Sequence, residues 1–262
     1  MTIPAILALD FDGVCCDGLR EYFETSRRTH ARVWPDDPVP GPELFDAFCA
    51  LRAVILSGWE MPVLLRAIAQ GRPAASILSG WDTVRDAVTA ADPRRAPALR
   101  TLLGHGLDAV RREWIASDRD AWLALHAPYT TLDELRRLVA EPGEAVLVTT
   151  KEGEFARLIL DRWGVHLADV QGKESGEHKC DNLRALIAAW TAARGVRPRL
   201  AFVEDRLETL QHVTTHRDLD DVALYLAAWG YNTESARSVA RADSRIRLLT
   251  LAQFRNGLAG WP

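Results

Sequence analysis

Short apolar runs and long amphipathic segments divide the chain into two kinds of sequence. Apolar runs occur at residues 6–9, 144–150, 168–172, 200–203, 222–229 and 245–249. Runs of this length, bounded by glycine or polar residues, predict buried strands. Between residues 18 and 140 the apolar positions instead recur at helical spacing, with almost no strand signal. Since strands and helices alternate in the remainder, we expect a parallel α/β sheet with right-handed crossovers.

The domain organisation follows from this pattern. We predict a Rossmann-like α/β core formed by residues 1–17 and 141–262, with residues 18–140 inserted as an α-helical cap. Helical patterns in that insertion cover residues 43–56, 62–70, 74–78, 83–90, 97–117, 120–127 and 132–140. Four of its residues could face a substrate, with core packing or a solvated face as the alternative: Arg52, Trp59, Glu60 and Arg66.

Composition narrows the class of protein. The 262 residues are 48% hydrophobic and 26% charged, as in a globular protein, and the net charge is -4. An acidic chain without a basic patch argues against a nucleic-acid or anionic-membrane partner. No apolar stretch approaches the roughly 20 residues that span a bilayer, and the N-terminus lacks the features of a signal peptide. The four cysteines show no metal-type spacing, so we predict free thiols and a cytoplasmic protein.

Two carboxylates end the first apolar run. Asp10 and Asp12 follow Ile6–Leu9 and precede Gly13, whose missing side chain suits a tight turn. The carboxyl ends of strands are where open α/β sheets place their chemistry. Two carboxylates this close repel each other unless a cation or a shared proton relieves them, so a divalent metal is the natural third party. A polar turn without chemistry is the alternative for Asp-x-Asp alone.

The residues 10–14, Asp-Phe-Asp-Gly-Val, resemble the first motif of the haloacid dehalogenase superfamily in its phosphatase form. This resemblance implies that Asp10 is the nucleophile and a metal ligand. It also implies that Asp12 exchanges protons with the leaving group and with water and lends its backbone carbonyl to the metal. Asp17 is expected to cap the next helix, to about His30, or to be an outer-shell acid.

Two further motifs of the superfamily concern phosphate binding. Thr149 and Thr150 end the second strand, and the resemblance places Thr149 at the phosphate-binding position with Thr150 beside it. The third motif is a lysine at the start of a helix, and Lys179 fits by position. Lys173 is a rival for this role and for phosphate binding, and Lys151 is a more distant one.

The acids that follow the strand at residues 200–203 resemble the fourth motif of the superfamily. Asp205 is the expected Mg²⁺ ligand and Glu204 a candidate ligand, although an aspartate or glycine is commoner than glutamate at that position. An oxygen-rich site of this kind suits Mg²⁺. Glu208 is slightly displaced from the usual trailing acid. Elsewhere, His212 and His216 lie four residues apart on a predicted helix and could share a metal, although no acidic motif accompanies them.

The resemblance therefore implies a Mg²⁺-dependent phosphatase that hydrolyses small-molecule phosphate monoesters through an aspartyl-phosphate. A phosphosugar mutase built on the same core is one alternative. A catalytically inactive relative that binds a phosphorylated metabolite is another, left open by Glu204 and Glu208. Substrate identity and oligomeric state do not follow from the sequence.

Overall fold

The computed structural model describes residues 3–91, 98–176 and 178–262. The chain forms two compact units. The sheet unit comprises Met1–Asp17 and Ala127–Pro262, and the helical unit comprises Gly18–His126.

Within the part of the chain that the structure describes, the strands all belong to the sheet unit. In chain order they are β1 (Ile6–Leu9), β2 (Cys16–Asp17), β3 (Ala127–Pro128), β4 (Glu144–Val148), β5 (Asp169–Gln171), β6 (Leu200–Glu204), β7 (Ala223–Ala227) and β8 (Ile246–Leu249). Six of them form a parallel sheet in the order β5-β4-β1-β6-β7-β8. The predicted α/β parallel sheet is confirmed. β2 and β3, which the sequence pattern missed, form a separate antiparallel pair.

The helices occur in both units. In chain order they are α1 (Leu19–Val33), α2 (Phe45–Leu51), α3 (Glu60–Ala69), α4 (Ala74–Ser79), α5 (Trp81–Ala90), α6 (Leu99–Leu123), α7 (Leu132–Ala140), α8 (Gly153–Trp163), α9 (Lys179–Arg194), α10 (Leu207–Thr214), α11 (Glu234–Ala242) and α12 (Leu251–Arg255). The helical unit contains α1 to α6. Two predicted helices near residues 97–127 are one element, α6, interrupted at Asp118 by non-helical dihedral angles.

The boundary of the helical unit differs from the predicted one. Residues 127–140 were expected in the insertion, but β3 pairs with β2 and α7 packs against β4 and α12 of the sheet unit. Leu135 and Leu138 are the buried apolar face of α7. The sequence pattern identified α7 as a helix but not the unit it packs in, because one apolar stripe suits either unit.

The start of α1 also differs from expectation. The N-cap residue of α1 is Gly18 rather than Asp17, and Gly18 has no side chain to accept a capping hydrogen bond. Asp17 instead lies in β2, paired with Ala127. Pairing with β3 holds Asp17 in extended backbone, and that partner lies too far along the chain for local sequence to indicate it.

The core of the sheet unit explains why its strands are continuously apolar. Ile6–Leu9 of β1 are all buried, as are Ala145–Val148 of β4 and Leu200–Glu204 of β6. Strands in a parallel sheet are covered on both faces, so no alternation with polar residues is expected. Within the described residues, no helix combines the length and apolar content needed to span a bilayer.

We expect Leu224→Ala to lower the free energy of unfolding of the sheet unit by about 2–5 kcal/mol, because the substitution leaves a cavity. Leu224 lies in β7 and is fully buried in a hydrophobic core cluster of the sheet unit. Urea denaturation followed by circular dichroism measures the loss. Val239→Ala, at a residue of α11 that is 44% exposed, is the matched control and should stay within about 0.5 kcal/mol. A loss for Leu224→Ala no larger than the control's would contradict the assigned core.

Candidate active site at the carboxyl edge of the sheet

Three adjacent strands bring the candidate residues to one edge of the sheet. β1 lies between β4 and β6, and Leu9 is in register with Leu147 and with Val203. The residues that follow these positions therefore meet at the carboxyl edge. Asp10 extends the pairing by one residue, because its N–H donates to the carbonyl of Val203 at 2.9 Å.

The chain turns sharply after Asp10. The carbonyl of Phe11 accepts hydrogen bonds from the N–H groups of Val14, Cys15 and Cys16, and Gly13 adopts a φ of 88°. β1 therefore does not run through Asp12, and the two aspartates are not placed on one face by strand alternation. The turn, rather than the strand, positions Asp12.

Asp10, Glu204 and Asp205 form a buried cluster of carboxylates. One oxygen atom from each lies within 4.8 Å of the others. The three residues are 6%, 0% and 2% exposed, respectively. Burial removes the water that would screen their mutual repulsion, so a positive charge is needed nearby. Asp10 and Asp205 are predicted metal ligands and Glu204 is a candidate ligand, and the structure brings the three together.

The ammonium of Lys179 lies within this cluster. Its Nζ is 2.8 Å from Asp10 Oδ1 and 2.6 Å from Glu204 Oε2. Burial lowers the pKa of Lys179, but the charges of Asp10 and Glu204 outweigh that effect and raise the pKa above its ordinary value. Lys179 is the first residue of α9, so the helix start fixes the position of the lysine.

The pKa of the Asp10 carboxyl lies above its ordinary value. Burial raises its pKa from 3.8 to about 7, although Lys179 acts in the opposite direction. Burial likewise raises the pKa of Glu204, again opposed by Lys179. A carboxylate in this position depends on a neighbouring cation to stay ionised at neutral pH.

Both oxygens of Glu204 already accept hydrogen bonds. Oε2 faces Lys179, and Oε1 accepts from the N–H groups of Asp205 and Arg206 at 3.0 Å each. These contacts favour a role in holding Lys179 and the loop after β6. The role of Glu204 as a metal ligand stays a prediction. Glu208 is 63% exposed and pairs with Arg206, so it lies outside the cluster.

Two glycines leave space for Asp205. A Cβ added at Gly13 would lie 2.1 Å from Asp205 Oδ2, and one added at Gly230 would lie 2.3 Å from Asp205 Cβ. The N–H of Tyr231 donates to Asp205 Oδ2 at 2.7 Å. The Asp205 carboxylate is therefore enclosed by backbone from two loops, which fixes its orientation toward the other acids.

Asp12 pairs with a different lysine. Nζ of Lys151 lies 3.2 Å from both oxygens of Asp12, and the Lys151 side chain is almost fully buried. The N–H of Lys151 donates to Thr149 Oγ1 at 3.2 Å, which links Asp12 to the end of β4. Lys151 was the most distant of the three lysine candidates predicted from the sequence. Its position directly after Thr149 and Thr150, on the strand beside β1, is the signal that could have found it.

The remaining predicted phosphate-binding residues differ in placement. Thr149 is buried at the end of β4, whereas Thr150 is exposed. Lys173 pairs with Glu152 at 3.1 Å and its side chain is 42% exposed, whereas Lys179 contacts Asp10. The structure thus brings Lys179 into the cluster and leaves Lys173 in a surface ion pair, because Lys173 lies in the loop before α9.

A tyrosine lies next to the acids, although no sequence pattern indicates it. Tyr231 is buried, and its hydroxyl lies 3.3 Å from Asp17 Oδ1. Burial raises the pKa of Tyr231, and the neighbouring Tyr129 and Asp12 act in the same direction. A protonated hydroxyl can donate, so Tyr231 is suited to hold Asp17 near the site as an outer-shell acid.

Three candidates from the insertion have partners within the helical unit. Arg66 pairs with Asp37 at 2.8 Å, and Glu60 accepts from the N–H groups of Leu56 and Ser57. Arg52 donates to the carbonyl of Ile55. These contacts account for their burial by packing and capping within the unit.

Comparison with solved structures identifies the fold. A candidate phosphoglycolate phosphatase from Lactobacillus delbrueckii subsp. bulgaricus matches with a TM-score of 0.60 at 14% identity, over 96% of each chain. A haloacid dehalogenase-like family hydrolase from Streptococcus pneumoniae matches with a TM-score of 0.55 at 12% identity, over 95% of each chain. Protein tyrosine kinase A from Mycobacterium tuberculosis matches with a TM-score of 0.57 at 19% identity, over 98% of each chain.

No protein-family model matches the chain, and no curated protein sequence is a significant match. The likeness is therefore one of structure. It confirms the resemblance drawn from the four motifs at the level of the fold, because the similar structures include haloacid dehalogenase-like proteins matched over nearly their whole length.

The ion pairs of Lys179 with Asp10 and Glu204 should contribute to the free energy of unfolding. We expect Lys179→Met to lower the free energy of unfolding by about 3–5 kcal/mol near pH 8, because two buried carboxylates lose their cation. The loss should shrink near pH 6, since Asp10 and Glu204 both have raised pKa values and take up protons as the pH falls.

Chemical denaturation at the two pH values measures this difference. The matched control is Lys173→Met, which should change the free energy of unfolding by no more than about 0.5 kcal/mol at either pH. Equal losses for the two lysine variants would show that the Lys179 contacts do not hold the cluster together.

Proposed function

We propose that the protein is a Mg²⁺-dependent phosphatase that hydrolyses small-molecule phosphate monoesters through an aspartyl-phosphate. The observation that carries the proposal is the contact of Lys179 with Asp10 inside a buried carboxylate cluster that includes Asp205. Similar structures described as candidate phosphatases come from Lactobacillus delbrueckii and Clostridium difficile, which supports the same chemistry.

Asp10 is the proposed nucleophile. One of its oxygens forms a bond to phosphorus while the bond from phosphorus to the ester oxygen breaks, and water then hydrolyses the aspartyl-phosphate. The contact with Lys179 supports this role, because the reaction requires an ionised carboxylate and Lys179 opposes the effect of burial, which raises the pKa of Asp10. Lys179 also offsets the charge of the phosphoryl oxygens, for which Thr149 supplies a hydroxyl.

Asp12 is the proposed proton donor to the leaving oxygen and, later, the base that accepts a proton from water. Its contact with Lys151 holds the carboxylate in place between the turn after β1 and the end of β4. Lys151 is therefore included in the proposed site as a positioning residue. Thr150 stays a predicted phosphate contact at the exposed rim, and Lys173 is left out of the proposal.

The donor set fits Mg²⁺. Carboxylate oxygens that converge within 4.8 Å are hard ligands of the kind that Mg²⁺ prefers. Asp10 and Asp205, with the backbone carbonyl of Asp12, are the groups proposed to hold the ion. When bound, Mg²⁺ would supply positive charge that offsets the phosphoryl oxygens. The two glycines beside Asp205 support this assignment, because they leave its carboxylate in a fixed orientation.

The size of the barrier explains why several groups are needed. Enzymes that hydrolyse phosphate monoesters must lower the barrier by on the order of 20 kcal/mol or more. One well-placed donor supplies about 3–4 kcal/mol, and positioning supplies about 7–11 kcal/mol. The combined contributions of a nucleophile, a proton donor, a lysine and a metal are of the order of this barrier reduction.

The structure weakens one reason for the inactive alternative. Glu204 was the unusual residue of the fourth motif, and its contacts with Lys179 and with the loop after β6 support a positioning role for it in the proposed site. The cap role of the helical unit, the cytoplasmic location and the phosphosugar mutase alternative stay predictions.

The first test is phosphate release from a panel of phosphate monoesters, with Mg²⁺ and with a chelator. We expect turnover that requires the metal and that falls by at least about 10³-fold in Asp10→Asn, because the nucleophile is lost. Lys173→Ala is the matched control and should retain activity. Metal-dependent turnover that survives in Asp10→Asn would refute the assigned nucleophile, and turnover only with a bisphosphate activator would favour a mutase.

A second test concerns pH. Asp10 must lose its proton to bind Mg²⁺, and its raised pKa of about 7 means that the proton is held below neutral pH. We therefore expect the Mg²⁺ dissociation constant, measured by calorimetry, to rise up to about tenfold per pH unit below 7. In Asp10→Asn the dependence near pH 7 should vanish. The same slope in both proteins would assign the proton to another group.

A further inference from the structure

A second group of metal-binding side chains lies on the sheet unit, apart from the carboxylate cluster. Cys180 is the second residue of α9, His212 lies in α10, and His216 follows the end of α10. The sulfur atom and one ring nitrogen from each histidine lie within 4.8 Å of one another. Three potential ligands from two helical segments therefore converge on one point.

The spacing of the two imidazoles matches a shared metal ion. Nε2 of His212 and Nε2 of His216 are 3.5 Å apart, and the two rings are nearly perpendicular at 84°. A nitrogen-to-nitrogen distance of 3.5 Å is long for a hydrogen bond. Two nitrogens bound to a tetrahedral zinc ion at about 2.05 Å would be separated by about 3.3 Å, close to the observed value.

The donor chemistry selects a different class of metal from the carboxylate cluster. One thiol and two imidazoles are the ligands preferred by Zn²⁺ and similar transition-metal ions, whereas Mg²⁺ prefers oxygen. The Cys180 thiol is buried and not in a disulfide, and His212 is exposed at the rim. An ion could therefore reach the buried sulfur of Cys180 from solvent, past the exposed His212.

A third histidine lies beside the group. The ring of His178 is 5.9 Å from the ring of His212, between centroids, and His178 is the residue before α9. Four-coordinate zinc sites take a fourth ligand from the protein or from water. His178 is therefore the neighbouring imidazole that could supply the fourth ligand.

We propose that Cys180, His212 and His216 form a Zn²⁺-binding site, with His178 or water as the fourth ligand. The site would join the start of α9 to the end of α10. Lys179 stands between His178 and Cys180 in the sequence, and α10 follows the strand that carries Glu204. A bound ion would therefore link α9, which begins with Lys179, to α10, which follows the strand that ends in Glu204.

The test uses Co²⁺ as a spectroscopic probe on tag-free, full-length protein kept reduced. We expect one equivalent of Co²⁺ to give a thiolate-to-metal charge-transfer band and the visible absorption of a tetrahedral site, both removed by adding Zn²⁺. Cys180→Ser should abolish the charge-transfer band. His212→Ala and His216→Ala should weaken Co²⁺ binding by at least about tenfold, since even loss of an outer-shell partner costs about that much.

Two matched controls isolate the site. Cys49→Ser changes a thiol of the helical unit, and Asp205→Asn changes the carboxylate cluster; both should keep the band. Circular dichroism checks folding, and Cys180→Ala serves if Cys180→Ser is unstable. Because His212 is exposed, His212→Ala should leave the protein folded and so tests the site directly. The proposal is overturned if the natural protein gives no thiolate band, or if the band survives loss of Cys180 or of both histidines.

Discussion

The contact between Lys179 and two buried carboxylates is the interaction on which the candidate site depends. Asp10 and Glu204 lie where water cannot screen them, and each has a pKa raised by burial. One ammonium placed between them offsets part of the repulsion. The same ammonium is suited to meet the negative charge of a phosphoryl group, so a single side chain serves both the folded state and the proposed chemistry.

The parallel sheet makes this contact possible. Because β1 lies between β4 and β6, three chain segments far apart in sequence end beside one another. The register pairs Leu9 with Val203, and the Asp10 N–H donates to the carbonyl of Val203, one residue before Glu204. Strand order thus brings the residues to one edge of the sheet, and the loops after the strands position Asp12 and Asp205 there. The turn after β1, with its positive φ at Gly13, is the clearest case.

The sequence predicted the parts of the site that follow directly from strand ends and helix starts. Asp10 and Asp205 end apolar runs, and Lys179 begins a helix, so their places depend on local pattern. Lys151 and Tyr231 could not be ranked in that way. Their side chains contact Asp12 and Asp17, residues more than a hundred positions away. For Lys151 the one available signal was its position directly after Thr149 and Thr150. The end of the helical unit was misplaced because β3, too, is defined by a distant partner, β2.

The antiparallel pair of β2 and β3 bears on how the inserted segment between them can be exchanged in evolution. Asp17 and Ala127 are directly paired, so the two points where the chain leaves and re-enters the sheet unit are neighbours. A two-residue hairpin turn spans such a gap. The whole helical unit is therefore inserted at a site that a simple turn could close, and segments of very different length can be exchanged there without altering the sheet.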